Sequence, residues 1–246
     1  SIYGDMFGTA DMRGLFEDDT MLGLYLDVET ALARAQAKLG LIPADAAKAI
    51  TEAADIDKID MDRLSARTQI VGYPILPLVE QLSGWAPDGL GQYCHWGATT
   101  QDIMDTADVL QVRAGLDIVE EYLERIAAAL AKLAEEHADT PMAGRTHLQH
   151  ALPVSFGFKA ATWLSAIDRH RIRLAELRGR VEVVEFSGAA GTLASLSGNG
   201  LATQAALAEE LGLAVPDITW HTIRDGFAEV TGFLALVAAS IGKIGY

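Results

Sequence analysis

The sequence is poor in the features that mark several large protein classes. It has one cysteine, Cys94, so no intramolecular disulfide can form and a disulfide-stapled scaffold is excluded. Basic residues are scarce: 19 Lys and Arg face 34 Asp and Glu, for a net charge of −15. The basic footprint of general nucleic-acid binding is missing, and so is any attraction to an anionic membrane surface. Gly, Ser or a charge interrupts every apolar run short of the ~18–20 residues a membrane span needs. The opening SIYGDMFGTADMRG lacks the basic-then-apolar order of a signal peptide. A cytoplasmic protein with neither nucleic-acid nor membrane partners is expected. P-loop, GxGxxG and GxSxG patterns are absent, as are HExxH and CxxC, which removes support for nucleotide loops, serine hydrolysis and the commoner metal sites.

What remains is helical. Half of the 246 residues are hydrophobic, enough for a sizeable core, and Ala, Leu, Glu, Arg and Lys dominate over alternating β-branched residues. Asp18, Asp19 and Thr20 offer caps for a helix running to Gly40, with Met21, Tyr25, Val28, Leu32, Ala35 and Leu39 as its apolar stripe. Shorter helices are expected at about 44–54 and 60–69, and Pro74 and Pro77 then break the pattern. Residues 84–99 read as an irregular loop. From Thr100 to about Ala138 no proline occurs, which predicts a helix of roughly 60 Å. Long partners are expected from Pro153 to about Phe186 and from about Thr219 onward. Phe158, Ala161, Leu164, Ile167 and Ile172 are the expected inner face of the first of these. A shorter helix is expected over 201–211, after the glycine-rich segment 187–200. The apolar final segment FLALVAASIGKIGY has no polar tail, which reads as the front part of a longer polypeptide.

Two polar clusters interrupt this scaffold. In GRTHLQHALPVS (144–155), Pro153 suits a helix's first turn, placing 145–150 on the approach to a helix start, where backbone N–H groups favour anions. Arg145 can clamp a carboxylate, Thr146 and Gln149 can orient one, and His147 can transfer a proton near neutral pH. Taken singly, such a histidine is more often an ordinary loop hydrogen-bonder. His147 and His150 lack the further partners a metal site needs. In HWGATTQD (95–102), Thr99 and Thr100 can cap the long helix or present hydroxyls to an anion. His95 reads as a packed loop histidine, and Cys94 as a buried inert thiol. His137 suits a helix C-terminus, and His170, within RHRIR, reads as part of a solvated or interfacial face. In TWHTIRDG (219–226), His221, Arg224 and Asp225 read as a surface ion pair with a cap.

HWGATTQDIMDTA and GRTHLQHALPVSFG, in this order and spacing, resemble the first two signature regions of the fumarase/aspartase superfamily. The resemblance extends to FEDDTMLGLYLDVETALARAQAKLGLIP. TQIVGYPILPLVEQL, GAAGTLASL and ITWHTIRD resemble the branch that cycloisomerises 3-carboxy-cis,cis-muconate. The adenylosuccinate lyase branch is the alternative, but it usually carries His-Asp where this chain has Ile70 and Val71. A crystallin-like protein without activity is the third reading, disfavoured by His147 and the threonine pair.

The resemblance implies an all-α fold: a small helical N-terminal domain over 1–98, then a long-helix bundle over 99–246, incomplete at its C-terminal side. It implies a homotetramer whose active sites are shared between subunits, a small anionic polycarboxylate substrate and no cofactor or metal. It also implies a third signature, a catalytic serine loop, beyond Tyr246. His147 is the catalytic residue on this reading. His95, Thr99, Thr100, Gln101, Arg145, Thr146, Gln149 and Arg224 bind substrate. The superfamily's chemistry passes through a carbanion beside a carboxylate, and hydroxyls, amides and cations stabilise the extra charge.

Overall fold

The computed structural model describes residues 2–4 and 6–245. Among them run nine α-helices and one two-stranded sheet: α1 Ala10–Gly14, α2 Asp18–Lys38, α3 Ala44–Ala53, α4 Met61–Val71, α5 Ile75–Trp85, α6 Thr100–Glu136, β1 Pro141–Thr146, β2 Gln149–Ser155, α7 Phe156–Val181, α8 Gly200–Leu211 and α9 Asp225–Gly245. The mainly helical class expected from composition is the class observed. The residues pack into two compact units, one of Ser1–Ala114 with Glu182–Arg224 and one of Gly115–Val181 with Asp225–Tyr246. These packing units do not follow a cut after residue 98, because the segment after α7 returns to pack on α2. Helix α6 contributes its first part to one unit and its remainder to the other.

In the first unit, α2 is the central helix. Tyr25, Val28, Leu32 and Ala35 are buried as their helical spacing requires, with Met21 packed at the edge of the same core. Leu39 lies just past the helix end and is 39% exposed. Gly40 stops the helix at φ 70, and Leu41 N–H reaches back to Gln36 O at 2.9 Å, which satisfies an end carbonyl. Asp60 caps α4 through Arg63 N–H at 2.9 Å. No helix is expected at α5, because Pro74 and Pro77 break the helical pattern of the sequence. Pro77 falls in the first turn, where its missing N–H has no intrahelical acceptor to lose.

In the second unit, α7 packs on α9. Two expectations fail here. Residues 141–155 form an antiparallel hairpin instead of leading straight into a helix, and α7 starts at Phe156, not Pro153. Ser155 is the cap: its Oγ accepts the Phe158 N–H at 3.1 Å. The inner face of α7 also differs from the expected one. Ala160, Ile167, His170, Leu174, Leu177 and Val181 are buried at alternating helical spacings, whereas Phe158 and Ile172 are 63% and 58% exposed. His170 is the pivot of that difference. It is buried, with Nε2 2.7 Å from Ser240 Oγ on α9 and its ring edge-on to Phe233.

Helix α9 starts at Asp225 instead of Thr219, because Glu185 takes the Trp220 N–H and holds 219–224 in a turn. Its expected last residue, Tyr246, lies outside the described residues. Contrary to the sequence reading, α9 is long and apolar enough to cross a membrane, with a mean hydropathy of 1.6 over its best window. One stripe of it is covered: Val230, Phe233 and Val237 are buried and Glu229 pairs with Arg180 of α7, while only 17% of that window is buried.

Candidate active site

The first unit gathers one group of the expected residues around the turn that opens α6. His95 has φ 61 and Gly97 φ 76, so two of three successive residues take left-handed backbone. Gly97 suits its positive φ, which strains any residue with a side chain, and a Cβ there would also press on the Leu196 side chain at 2.7 Å. The turn is closed by Asp102, whose Oδ2 accepts the Thr99 N–H at 2.8 Å, the acidic half of a capping box. Thr99, Thr100 and Gln101 are half-buried at this helix start.

Asp102 does more than cap. Its carboxylate also accepts the Ser187 N–H at 2.9 Å, the Gly188 N–H at 3.0 Å and His221 Nε2 at 2.7 Å. It thereby ties the helix start to the glycine-rich segment and to the 219–224 turn. Glu185 lies beside it, taking the Ser187 hydroxyl and, at 2.6 Å, the Trp220 N–H. Burial pushes the Glu185 carboxyl above its ordinary range. Ser187, Trp220 and His221 oppose this, and the charge of Asp102 adds to it. Asp102, Glu185 and His221 are close enough to hold a metal ion. Their carboxylate oxygens are already occupied by N–H and O–H donors, so the cluster reads as a closed hydrogen-bond hub.

Arg224 is not a local surface pair. Its guanidinium clamps the buried carboxylate of Asp105 at 2.8 and 2.9 Å, and Gln101 Nε2 donates to the same group at 2.8 Å. Asp108, one turn further along α6, has its pKa pushed up to about 6 by burial. Asp105 reinforces the rise and Arg224 opposes it. The thiol of Cys94 is buried and pushed far up by burial and by Glu29, so it is inert as expected.

The second unit carries the other group on its hairpin. Arg145 and Thr146 end β1, Gln149 begins β2, and Thr146 pairs with Gln149, which leaves His147 and Leu148 as a two-residue tip. Both have positive φ, 47 and 61, the geometry of a tight turn usually made by Asn and Gly. Leu148 is 104% exposed, and the other residues from 145 to 150 are exposed as well. Gly144 sits at a register shift, where a Cβ would come within 2.5 Å of Leu152 O. The two groups of site residues therefore lie on separate units.

A family model described as "Lyase" matches residues 6–246. The chain belongs to this lyase family, within the fumarase/aspartase superfamily. A trans-aconitate decarboxylase 1 of Mycosarcoma maydis is 48% identical over 98% of the chain and 49% of its own length. A 3-carboxy-cis,cis-muconate cycloisomerase of Pseudomonas aeruginosa is 47% identical over 99% of the chain and 54% of its own length. A solved fumarate lyase structure from Mesorhizobium sp. BNC1 is 59% identical with a TM-score of 0.92, covering 97% of this chain and 57% of that one. The chain thus spans about half the length of the curated relatives it matches.

In this lyase chain the sequence reading missed the acids. Glu29, Asp102, Asp105 and Glu185 are all buried and all tie a site segment to the scaffold. The available signal was position: Glu29 interrupts the apolar face of α2, and Glu185 stands inside VEVVEF. A carboxylate in an apolar run is costly unless paired, so each one announces a partner.

Proposed function

We propose that the protein carrying this chain cycloisomerises 3-carboxy-cis,cis-muconate or a close analogue to a lactone. The supporting observation is 47% identity to a named cycloisomerase across 99% of the chain, including both polar clusters. A carboxylate oxygen of the substrate adds to a conjugated double bond, one C–O bond forms, and the π electrons move toward the neighbouring carboxylate. A proton then goes to the adjacent carbon, so the reaction is an isomerisation with no group lost. The transient negative charge needs donors and cations that are in place beforehand. His147 transfers the proton or polarises that carboxylate. Arg145, Thr146 and Gln149 on the hairpin, with His95, Thr99 and Thr100 at the start of α6, hold the carboxylates. Gln101 and Arg224, both engaged with Asp105, frame the second group. No cofactor enters. The active enzyme is a homotetramer with sites shared between subunits, and each chain divides functionally after residue 98.

A second reading follows from the decarboxylase relative, which is as similar as the cycloisomerase. Trans-aconitate and 3-carboxymuconate are both unsaturated tricarboxylates, so one set of anion contacts suits either. A third, C–N bond cleavage releasing fumarate, is weakened by Ile70 and Val71, which supply no imidazole or carboxylate. Incubation with each substrate separates them. Loss of the muconate absorbance without release of CO2 or fumarate supports the proposal. CO2 release from trans-aconitate, with the muconate spectrum unchanged, would replace it.

A further inference from the structure

Glu29 is an unusual residue for its place. It stands on the buried face of α2 between Val28 and Ala31, and its side chain is fully buried. A carboxylate in such surroundings is retained only with partners. It has two, both from the turn before α6: His95 Nδ1 at 2.6 Å from Oε1, and the Cys94 thiol at 3.8 Å from Oε2. Two helical turns further along the same face, buried Gln36 donates to Trp96 O at 2.6 Å. Helix α2 thus grips residues 94–96 through two buried polar groups spaced seven apart. The grip fixes a backbone that is otherwise disfavoured, since His95 is a non-glycine residue at φ 61. The other ring nitrogen, Nε2, meets no hydrogen-bond partner among the described residues, and the side chain is 22% exposed. His95 is therefore clamped at one nitrogen and open at the other.

We infer that Glu29 is a positioning residue for the proposed site: it holds the His95 ring by Nδ1 so that Nε2 is presented, as a charged donor, to a carboxylate of an unsaturated tricarboxylate substrate. The inference rests on the lyase reading above. The charged groups that act on His95 are Glu29 from α2 and Asp102 from the first turn of α6. Burial alone lowers the imidazole pKa and is the largest single effect. The charge and hydrogen bond of Glu29, with the charge of Asp102, outweigh it and leave the pKa raised. A raised value keeps the ring cationic to higher pH. In a chain with a net charge of −15, a polyanion needs such a local cation. The arrangement parallels an imidazole oriented by a buried carboxylate, with recognition of an anion in place of activation of a nucleophile.

Two measurements test this. The first is nitrogen-detected NMR of His95 in the unaltered protein. The expected result is a neutral tautomer with its proton on Nδ1 and a titration midpoint above the ordinary ~6.5. A proton on Nε2 alone, or a midpoint at or below that value, overturns the inference even if no variant folds. The second is the dissociation constant for 3-carboxy-cis,cis-muconate and, in parallel, for trans-aconitate across pH, with and without Glu29→Gln. Binding is expected to weaken as pH rises through the His95 midpoint. Glu29→Gln should move that fall to lower pH and weaken binding at neutral pH by about tenfold per unit moved. It should act on KM more than on kcat. An identical pH profile in the variant for both ligands overturns the inference. A pH-linked affinity for trans-aconitate with no turnover of muconate supports Glu29 and removes the muconate assignment alone.

Discussion

At the hairpin tip, His147 occupies left-handed backbone space at φ 47, and there the choice of substitution matters. Asparagine tolerates that region better than most residues. His147→Asn therefore removes the imidazole without loading the turn. If His147 transfers a proton, turnover should drop by ~10²–10⁴-fold while substrate affinity changes far less. Steady-state kinetics on the intact protein decides it, and wild-type turnover would reduce His147 to a loop residue. Asp108 is a residue of the opposite kind, half-buried at a cost. Its folded pKa of about 6 lies above the ~3.9 of an unfolded aspartate. Between those values the folded state keeps a proton that the unfolded state has released, so this residue's contribution to stability falls as pH rises from ~4 to ~6. Above pH ~6 the folded chain carries a poorly solvated charge beside Asp105. Asp108→Asn should raise the melting temperature at pH 8 and leave it nearly unchanged at pH 4. Equal melting temperatures at pH 8 would mean that Asp108 is well hydrated. The histidines, threonines and arginines of the proposed site stand out in the sequence because their types are rare in helical scaffold. The buried acids do not: an isolated Asp or Glu in a sequence rich in both looks like solvated surface until its partners are seen.

Among the elements, the β1–β2 hairpin carries local strain. Leu148 is a branched side chain at φ 61 with no packing to compensate it, and a non-glycine residue there costs ~1–2 kcal/mol. Leu148→Gly should relieve that cost and hold the hairpin closed for longer. Slower amide exchange at the paired residues Thr146 and Gln149 would show it, and faster exchange would mean that Leu148 contributes contacts after all. This element was also the least legible. Pro153 and Ser155 both signal a helix start, and the proline came first. Only the serine, with its hydroxyl on the Phe158 N–H, marks the true boundary. By contrast α2, α3, α6 and α8 could be read to within one or two residues, because their apolar spacing is helical throughout and, at α2 and α8, a glycine follows the end. The inner face of α7 could not. Leu174 and Leu177 share it with His170, and a histidine flanked by arginines gives no sign in the sequence that it faces inward.

At the scale of the whole molecule, exposed apolar side chains collect on the long helices: Phe158 and Ile172 on α7, and Leu234, Leu236 and Ile241 on α9. Exposure of several large apolar side chains on two long helices calls for cover, and the proposed homotetramer would supply it. Multi-angle light scattering on the intact protein should return four chains, and a stable, active monomer would defeat the assignment. The first unit has a separate peculiarity. Its core joins Ala31, Leu32 and Ala35 of α2 to Ala206, Leu207 and Ala208 of α8, with Arg34 and Lys38 paired to Glu210 and Glu209. On a ribosome adding ~5–20 residues per second, α8 emerges on the order of ten to thirty seconds after α2. For that interval the face of α2 that will meet α8 has nothing to fold against. Slowing translation between the codons for Lys38 and Gly200 would lengthen the time for which a holding chaperone could bind that face.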